Sequence, residues 1–396
     1  MDIYTCAPVT WIACRIGPVL ANDAVKIRLF HSTSVPFNLV ALTNSNFGPC
    51  ITEPGVSVLN SFTQDVLTPL VRGIDLERAA ARQALENILL GQVDPLLIAS
   101  FLTAMTAKGE TADEMTGFIE AMIANATTFT VAENAIDIVG TGGDQLHTVN
   151  VSTMAALVVA GCGIPVAKHG NRSASSSVGS ADVLEALGVR IDVPQEVVLA
   201  CIQGAGIGFM SAPIFHHAFS HLAPVRRSLG FRTIFNVLGP LANPAMVRRS
   251  LIGVADVRIL DHMATVIANR GVDHVILLTS DDGLDELSLG SGASLRIVKG
   301  TTVESTRMDA GGELHRSHAV DTIRGGDLTH NVEVVRNFLA GTQGPIFDVV
   351  CANAALGLVA GGHCTDLQAG FSEASTNVLN GNAAQALEKL VALSNS

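Results

Sequence analysis

The stretch DIVGTGGDQLHTVNVST at residues 137–153, followed by AKHGNRSASSSVGSADVLEALG at residues 167–188, decides how this chain folds. The apolar run from Ala135 to Val139 has the length of a strand, and Gly140, Gly142 and Gly143 make a glycine-rich turn. A helix is expected to begin near Asn150, with Ser152 and Thr153 in its first turn. That combination suits an anion, because glycine lets the backbone approach a phosphate closely and free N–H groups at a helix N-terminus favour negative charge. A second loop of small residues, Gly170 to Gly179, follows one strand later, just after Lys168 and His169, and carries Asn171 and Arg172. Loops after successive strands of an open α/β sheet can converge on one ligand beyond the carboxyl ends of the strands. The expected ligand is small and phosphorylated. The spacing is neither the dinucleotide fingerprint nor a P-loop, and Gly140 and Gly142 would also serve a plain tight connection. The company of Asp144, Asn150, Ser152 and Thr153, with a cation-bearing loop downstream, favours the anion site.

Outward from this stretch, short apolar runs alternate with helical segments. Ala135–Val139, Ile164–Ala167, Ile207–Met210, Leu251–Val254 and His274–Thr279 have strand length, which implies a mostly parallel sheet covered by helices on both faces. Late helices are expected at Asn331–Ala340, Pro345–Val359, Thr365–Leu379 and Ala383–Leu393. Upstream, residues 61–130 read as a small all-helical domain, and 131–396 as the larger α/β domain. Asp75 is expected to cap a first helix ending at Gly91, Asp94 a second ending near Lys108, and Thr111 with Glu114 makes a capping box for a third. Leu76, Ala79, Ala80, Ala84, Ile88 and Leu89 share one face of the first helix, which needs a partner. Residues 1–60 show no amphipathic period, signal peptide or targeting pattern, and are expected to be a poorly ordered extension or the product of an upstream start.

Composition narrows the class. Of 396 residues, 48% are hydrophobic and 15% charged, yet no run reaches the about 18 uninterrupted apolar residues of a membrane span. The net charge of −12, with no basic run beyond Arg226-Arg227 and Arg248-Arg249, argues against a nucleic-acid surface. An anion must then be held by local devices: helix N-termini, Lys168, Arg172 and a metal ion. The seven cysteines show no C-x-x-C spacing, so a reducing cytoplasm is the simplest home.

The motifs GTGGD, TVNVST, KHGNR and SADVLEALG, with VRRSLGFRTIFNVLGPLANP at residues 225–244 and DGLDELS at 282–288, resemble the anthranilate phosphoribosyltransferases of tryptophan biosynthesis. These belong to the nucleoside phosphorylase-like glycosyltransferases. The resemblance runs in order from Thr63 to the C-terminus. It implies transfer of a phosphoribosyl group from 5-phosphoribosyl 1-diphosphate to the amine of anthranilate, with Mg²⁺ and a homodimer built on the helical domain. It also implies that a segment around 213–229 crosses back to that domain. By the same resemblance, Gly140, Thr141, Gly142, Gly143, Asp144, Thr148, Asn150, Ser152, Thr153 and Lys168 match the donor site, with Ser152 also a metal ligand. Asp285 and Glu286 match the acidic pair that holds Mg²⁺. Gly140, Asn171, Arg226 and Gly239 match anthranilate-binding positions.

Chemistry supports several of these roles. An aromatic amine is a nucleophile at neutral pH, so stabilising the departing diphosphate is the hard part, a task for positioning, electrostatics and a Lewis acid. Adjacent carboxylates suit a hard cation, and an arginine fork suits a benzoate. Arg226 could instead pair with an acid, a role its neighbour Arg227 also fits. Ser180 could bond a phosphate or cap the helix at Ala181, and His169 could line the aromatic substrate or be satisfied by backbone. His216, His217 and His221 crowd one segment but lack a cysteine or acid at zinc-ligand spacing. One departure stands out: Gln145 occupies a position where the family usually has glycine. Two rivals remain, a pyrimidine nucleoside phosphorylase and a non-catalytic nucleic-acid-binding relative. The KHGNR loop sides against the first, and the acidic pair without a basic groove against the second.

Overall fold

The computed structural model describes residues 2–6, 9–13, 26–28, 61–172 and 178–396. The chain divides into two units, Met1–Val56 and Ser57–Ser396. In the first, strands β1 (Asp2–Cys6), β2 (Val9–Ala13) and β3 (Lys26–Arg28) form an antiparallel sheet in that order. The expectation for residues 1–60 otherwise lies outside the described residues.

The second unit opens with a helical stretch, Phe62–Leu67 continuing as Thr68–Val71, and then α1 (Arg78–Leu89), α2 (Pro95–Lys108) and α3 (Ala112–Ala124). Asp94 caps α2 by accepting from Leu96 N at 2.8 Å, and Thr111 with Glu114 closes the capping box of α3. Asp75 does not cap α1. Glu77 holds that position, while Asp75 accepts from Lys108 Nζ at 2.7 Å, so the ion pair takes the side chain a cap would need. The buried face of α1 is Ala81, Ala84, Leu85, Ile88 and Leu89; Ala79, expected inside, is exposed. Phe62, Phe101 and Phe118 pack ring against ring, with successive centroids 6.0 and 5.9 Å apart. Leu222 and Val225, from the segment expected to cross back, are buried in this same core.

The larger sheet holds β4 (Ile136–Gly140), β5 (Val166–Gly170), β6 (Ile207–Ser211), β7 (Arg249–Gly253), β8 (Val272–Ser280), β9 (Ala293–Gly300) and β10 (Thr302–Met308). Their order is β10-β9-β8-β7-β4-β5-β6. Strands β4 to β8 pair parallel, and the hairpin β9–β10 adds an antiparallel edge absent from the sequence expectation. From β4 the chain steps to β5 and β6, then returns to the other flank of β4 for β7 and β8. The crevice at that reversal is where an open α/β sheet takes its ligand. One face is covered by α4 (Val151–Gly161) and the late helices, whose main members run Leu328–Leu339, Pro345–Ala360, Leu367–Leu379 and Asn382–Ser394. The helix Val257–Asn269 and the helical domain cover the other.

The β4–α4 connection holds four left-handed residues: Gly142 (φ 66°), Gly143 (φ 75°), Gln145 (φ 62°) and His147 (φ 52°). Gln145 thus sits in the backbone conformation where glycine is at ease. A left-handed conformation costs an L-residue about 1–2 kcal/mol, and glycine gives back about 0.5–1 kcal/mol of that through its freer unfolded state. Gln145→Gly should therefore stabilise the protein by about 0.5–1 kcal/mol, read as a higher denaturation midpoint. A midpoint unchanged or lowered would mean the glutamine side chain compensates.

Glu114, fully buried, accepts from Leu76 N (2.8 Å), Thr111 N (2.9 Å) and Lys108 Nζ (2.9 Å). Glu114→Ala leaves the nearly buried Lys108 with Asp75 as its one ion-pair partner among the described residues, so unfolding free energy should fall by about 3 kcal/mol, the low end for a broken buried pair. A loss under about 1 kcal/mol, as for an exposed pair, would contradict this.

Candidate active site

The glycine-rich turn is shaped by what packs against it. Thr141 N donates to Gly253 O at 2.9 Å and Thr141 Oγ1 accepts from Ala255 N at 3.0 Å, which ties the turn to the end of β7. Gly140 has no room for a Cβ, because the Asp285 carboxylate lies against it. Asp285 Oδ2 accepts from Gly142 N at 2.6 Å, and Glu286 Oε1 accepts from Ser152 N at 3.1 Å in the first turn of α4. The two acids therefore occupy the N–H groups that an anion would seek. Asp285 is buried, which pushes its carboxyl up to about 7, helped by the neighbouring charge of Asp144. Glu286 is held well above the ordinary carboxyl range by burial and by Asp285. Asp144 Oδ1 accepts from Leu146 N, whereas its buried Oδ2 has no partner among the described residues. Asn150 bonds Val178 O and Asn331 Nδ2, Thr148 bridges to Arg324, and Thr153 Oγ1 is buried without a partner among them.

Lys168 on β5 is 1% exposed and donates to Ile138 O at 2.6 Å and to Ser152 Oγ at 3.5 Å. Burial lowers its ammonium; Asp137 and Glu286 oppose that. Asp137, fully buried on β4, takes hydrogen bonds from Asn243 Nδ2 (2.7 Å) and His169 N (3.3 Å), and burial pushes its carboxyl up to about 6. Asn243 also donates to Ala167 O at 2.9 Å and accepts from Ala245 N at 2.8 Å.

The other end of the cavity is aromatic. The His169 and His216 rings lie 5.1 Å apart, His216 and Phe219 5.9 Å, and Phe219 and Phe235 5.3 Å. Burial drives His169 to about 3 and His216 to about 4, so both rings are neutral. One ring nitrogen of His169 bonds the backbone of Gly239, and Nε2 is buried without a partner among the described residues. Arg226 stands 5.6 Å over the Phe235 ring and donates to Asn236 Oδ1 at 3.5 Å. Burial lowers its guanidinium and no carboxylate among the described residues offsets it, so the expected alternative of an acid partner does not hold.

All the residues matched to the donor, the acceptor and the metal line one cavity of about 470 Å³, Thr148, Asn171, Ser180 and Gly239 among them. Two sequence expectations shift. Arg172 is not a free cation, since its exposed guanidinium pairs with Glu185 (2.8 Å) and Asp182 (3.1 Å). Ser180 is the first residue of its helix rather than the cap; Gly179 takes the cap position, and Ser180 Oγ donates to Asn171 O at 3.4 Å. The histidines of residues 216–221 form no metal cluster: among the described residues no three His, Cys, Asp or Glu side chains converge on one. Sequence reasoning missed Asp137, Asn243 and Arg232. Arg232 donates to Gly143 O (2.8 Å) and Gly142 O (2.6 Å). The available signal was Asp137 itself, a carboxylate inside an otherwise apolar strand.

Residues 132–384 match the family described as "Glycosyl transferase family, a/b domain", and residues 64–126 its "helical bundle domain". Anthranilate phosphoribosyltransferase from Thermomicrobium roseum is 46% identical over 336 residues, 84% of this chain and 97% of that one. The crystal structure of anthranilate phosphoribosyltransferase from Thermus thermophilus superposes with a TM-score of 0.78 at 36% identity, covering 84% of this chain and all of the other. The Saccharomyces cerevisiae enzyme in complex with PRPP and Mg shares the fold at 24% identity and a TM-score of 0.76, covering 85% of this chain and 98% of that one. The chain belongs to the anthranilate phosphoribosyltransferase family.

Proposed function

We propose that this protein transfers the phosphoribosyl group of 5-phosphoribosyl 1-diphosphate to the amine of anthranilate, giving N-(5-phosphoribosyl)anthranilate and diphosphate. The observation that carries this is one cavity with two chemically distinct ends. At one end, loop and helix N–H groups and the buried Lys168 ammonium meet two carboxylates. At the other, an aromatic wall ends at an arginine with no acid partner among the described residues.

The residues at the donor end fit Mg²⁺. Asp285, Glu286 and the hydroxyl of Ser152 are hard oxygen ligands, and the orphaned Asp144 Oδ2 belongs to a residue of the same cavity. The relative from yeast was determined with PRPP and Mg, in keeping with this. When bound, Mg²⁺ would supply Lewis-acid stabilisation of the departing diphosphate.

The chain's own groups do the rest. Backbone N–H groups of the turn and of the first turn of α4 orient the phosphates, and Lys168 adds a fixed positive charge in a dry wall. The guanidinium of Arg226 takes the anthranilate carboxylate in two parallel hydrogen bonds. His169, His216, Phe219 and Phe235 face the ring and exclude water. The neutral His169 presents Nε2 as an acceptor towards the amine, whose nitrogen attacks as the bond from ribose to diphosphate breaks. A homodimer through the helical domain belongs to the same proposal, supported by Val71 and Leu96, large apolar side chains left 75% and 77% exposed on neighbouring helices. So does a cytoplasmic location, in keeping with free thiols at Cys162, Cys201, Cys351 and Cys364.

Loss of anthranilate fluorescence on adding donor and Mg²⁺ tests the reaction directly; no loss, with phosphorolysis of a pyrimidine nucleoside instead, would overturn it. Replacing Asp285 by Asn and Glu286 by Gln together should lower kcat by about a hundredfold or more, with partial recovery at high Mg²⁺. Normal turnover with an unshifted Mg²⁺ dependence would remove the acids from the metal site. Arg226→Ala should raise the anthranilate KM by about tenfold or more, because a charged hydrogen-bond partner is worth about 1.5–3 kcal/mol. Equal weakening of both substrates would assign Arg226 to the fold or to phosphate binding.

A further inference from the structure

Arg232 lies between the helix Leu222–Leu229, which carries Arg226, and the helical turn Phe235–Leu238 that leads to Gly239. Its guanidinium reaches 89 residues back to Gly143 O and 90 residues back to Gly142 O. Those two residues are the consecutive left-handed pair of the glycine turn. The guanidinium thus takes the carbonyls of the turn while the Gly142 N–H is left to the cavity acid. Gly142 N already points at an acceptor, Asp285 Oδ2. A Cβ at Gly143 would also come within 3 Å of Arg232 Cζ, Nη1 and Nε, so any residue but glycine there would push the guanidinium aside. Glycine at 143 and arginine at 232 are therefore fitted to each other. A cation bonded to two main-chain carbonyls, rather than to a carboxylate, is spending its donors on backbone shape.

We infer that Arg232 is a positioning residue for the donor, holding the Gly142 and Gly143 carbonyls so that the turn's N–H groups face the diphosphate. This rests on the donor reading of the cavity proposed above. A planar fork can hold two carbonyls at once, whereas an ammonium is a point charge on a flexible stem, so lysine is an imperfect substitute.

The test compares wild type with Arg232→Met and Arg232→Lys. Donor dissociation constants with Mg²⁺ are measured by calorimetry, KM for each substrate and kcat by the fluorescence assay, and folding by thermal melting. In Arg232→Met, donor dissociation constant and donor KM should rise at least about tenfold, while anthranilate KM at saturating donor stays within about twofold. Arg232→Lys should fall between the two. Donor binding equal to wild type, or equal weakening of both substrates, would overturn the inference. If Arg232→Met does not fold, Arg232→Lys decides alone: a donor-specific rise in KM supports the role, and wild-type values or a uniform loss reject it. A wild-type protein that does not bind the donor would overturn the donor reading and this inference with it. Wild-type binding with an unaffected Arg232→Met would overturn this inference only.

Discussion

A buried ammonium sets the terms for the rest of the structure. Lys168 is 1% exposed, in a chain whose net charge is −12, and removing a charge from water is unfavourable unless partners replace the solvent. Its direct bonds are to a carbonyl and a hydroxyl, so the compensating negative charge must come from slightly farther off, from Asp137 and Glu286. Asp137 in turn needs donors, and Asn243 and the His169 N–H supply them. One charge thereby ties together β4, β5, the loop before β7 and the loop after β8. That tie holds the two polar loops of the sheet on the same cavity.

The acceptor end solves the opposite problem. Arg172 and Arg226 are both arginines on the wall of the cavity, yet their surroundings assign them different work. Arg172 is exposed and doubly paired with acids on the helix that follows it, so its charge is already spent on the surface. Arg226 is sheltered beside Phe235, and burial lowers its guanidinium with no acid among the described residues in compensation. A desolvated cation lacking a carboxylate is under-satisfied, a need that the carboxylate of the proposed substrate would meet. The neutral state of His169 and His216 matters for the same reason: two further cations there would repel the arginine and hydrate the slot.

How much of this was legible depends on sequence distance. The strand, the glycine turn, the helix start and the capping box of α3 are local, and their chemistry is contiguous in the chain, so Gly142, Ser152, Lys168 and Glu114 could be read directly. Asp137 is local too, but its partner Asn243 lies 106 residues on, and nothing in the residues between announces the pairing. Arg232 was hidden in the same way. The β9–β10 hairpin escaped because β10, TVESTRM, is largely solvent-facing and offers no apolar run. Asp75 was misplaced because cap and ion-pair partner look alike until the fold brings Lys108 to it.

In the proposed reaction phosphate and metal would meet complementary groups at the donor end. Gly142 N and Ser152 N are satisfied by Asp285 and Glu286, so neither the N–H groups nor the acids stand idle. A phosphate arriving alone would have to displace two carboxylates and leave them buried beside its own charge. A cation arriving alone would draw the carboxylates off and take these acceptors from the Gly142 and Ser152 N–H groups. Arriving together, the anion takes the N–H groups while the cation takes the acids, and every polar group regains a partner. The raised carboxyl of Asp285, at about 7, expresses the same imbalance: without a cation, burial and the neighbouring Asp144 charge make its ionised form costly. The acidic pair and the two N–H groups it occupies thus satisfy each other, and in the proposed reaction phosphate and metal would take over these groups jointly.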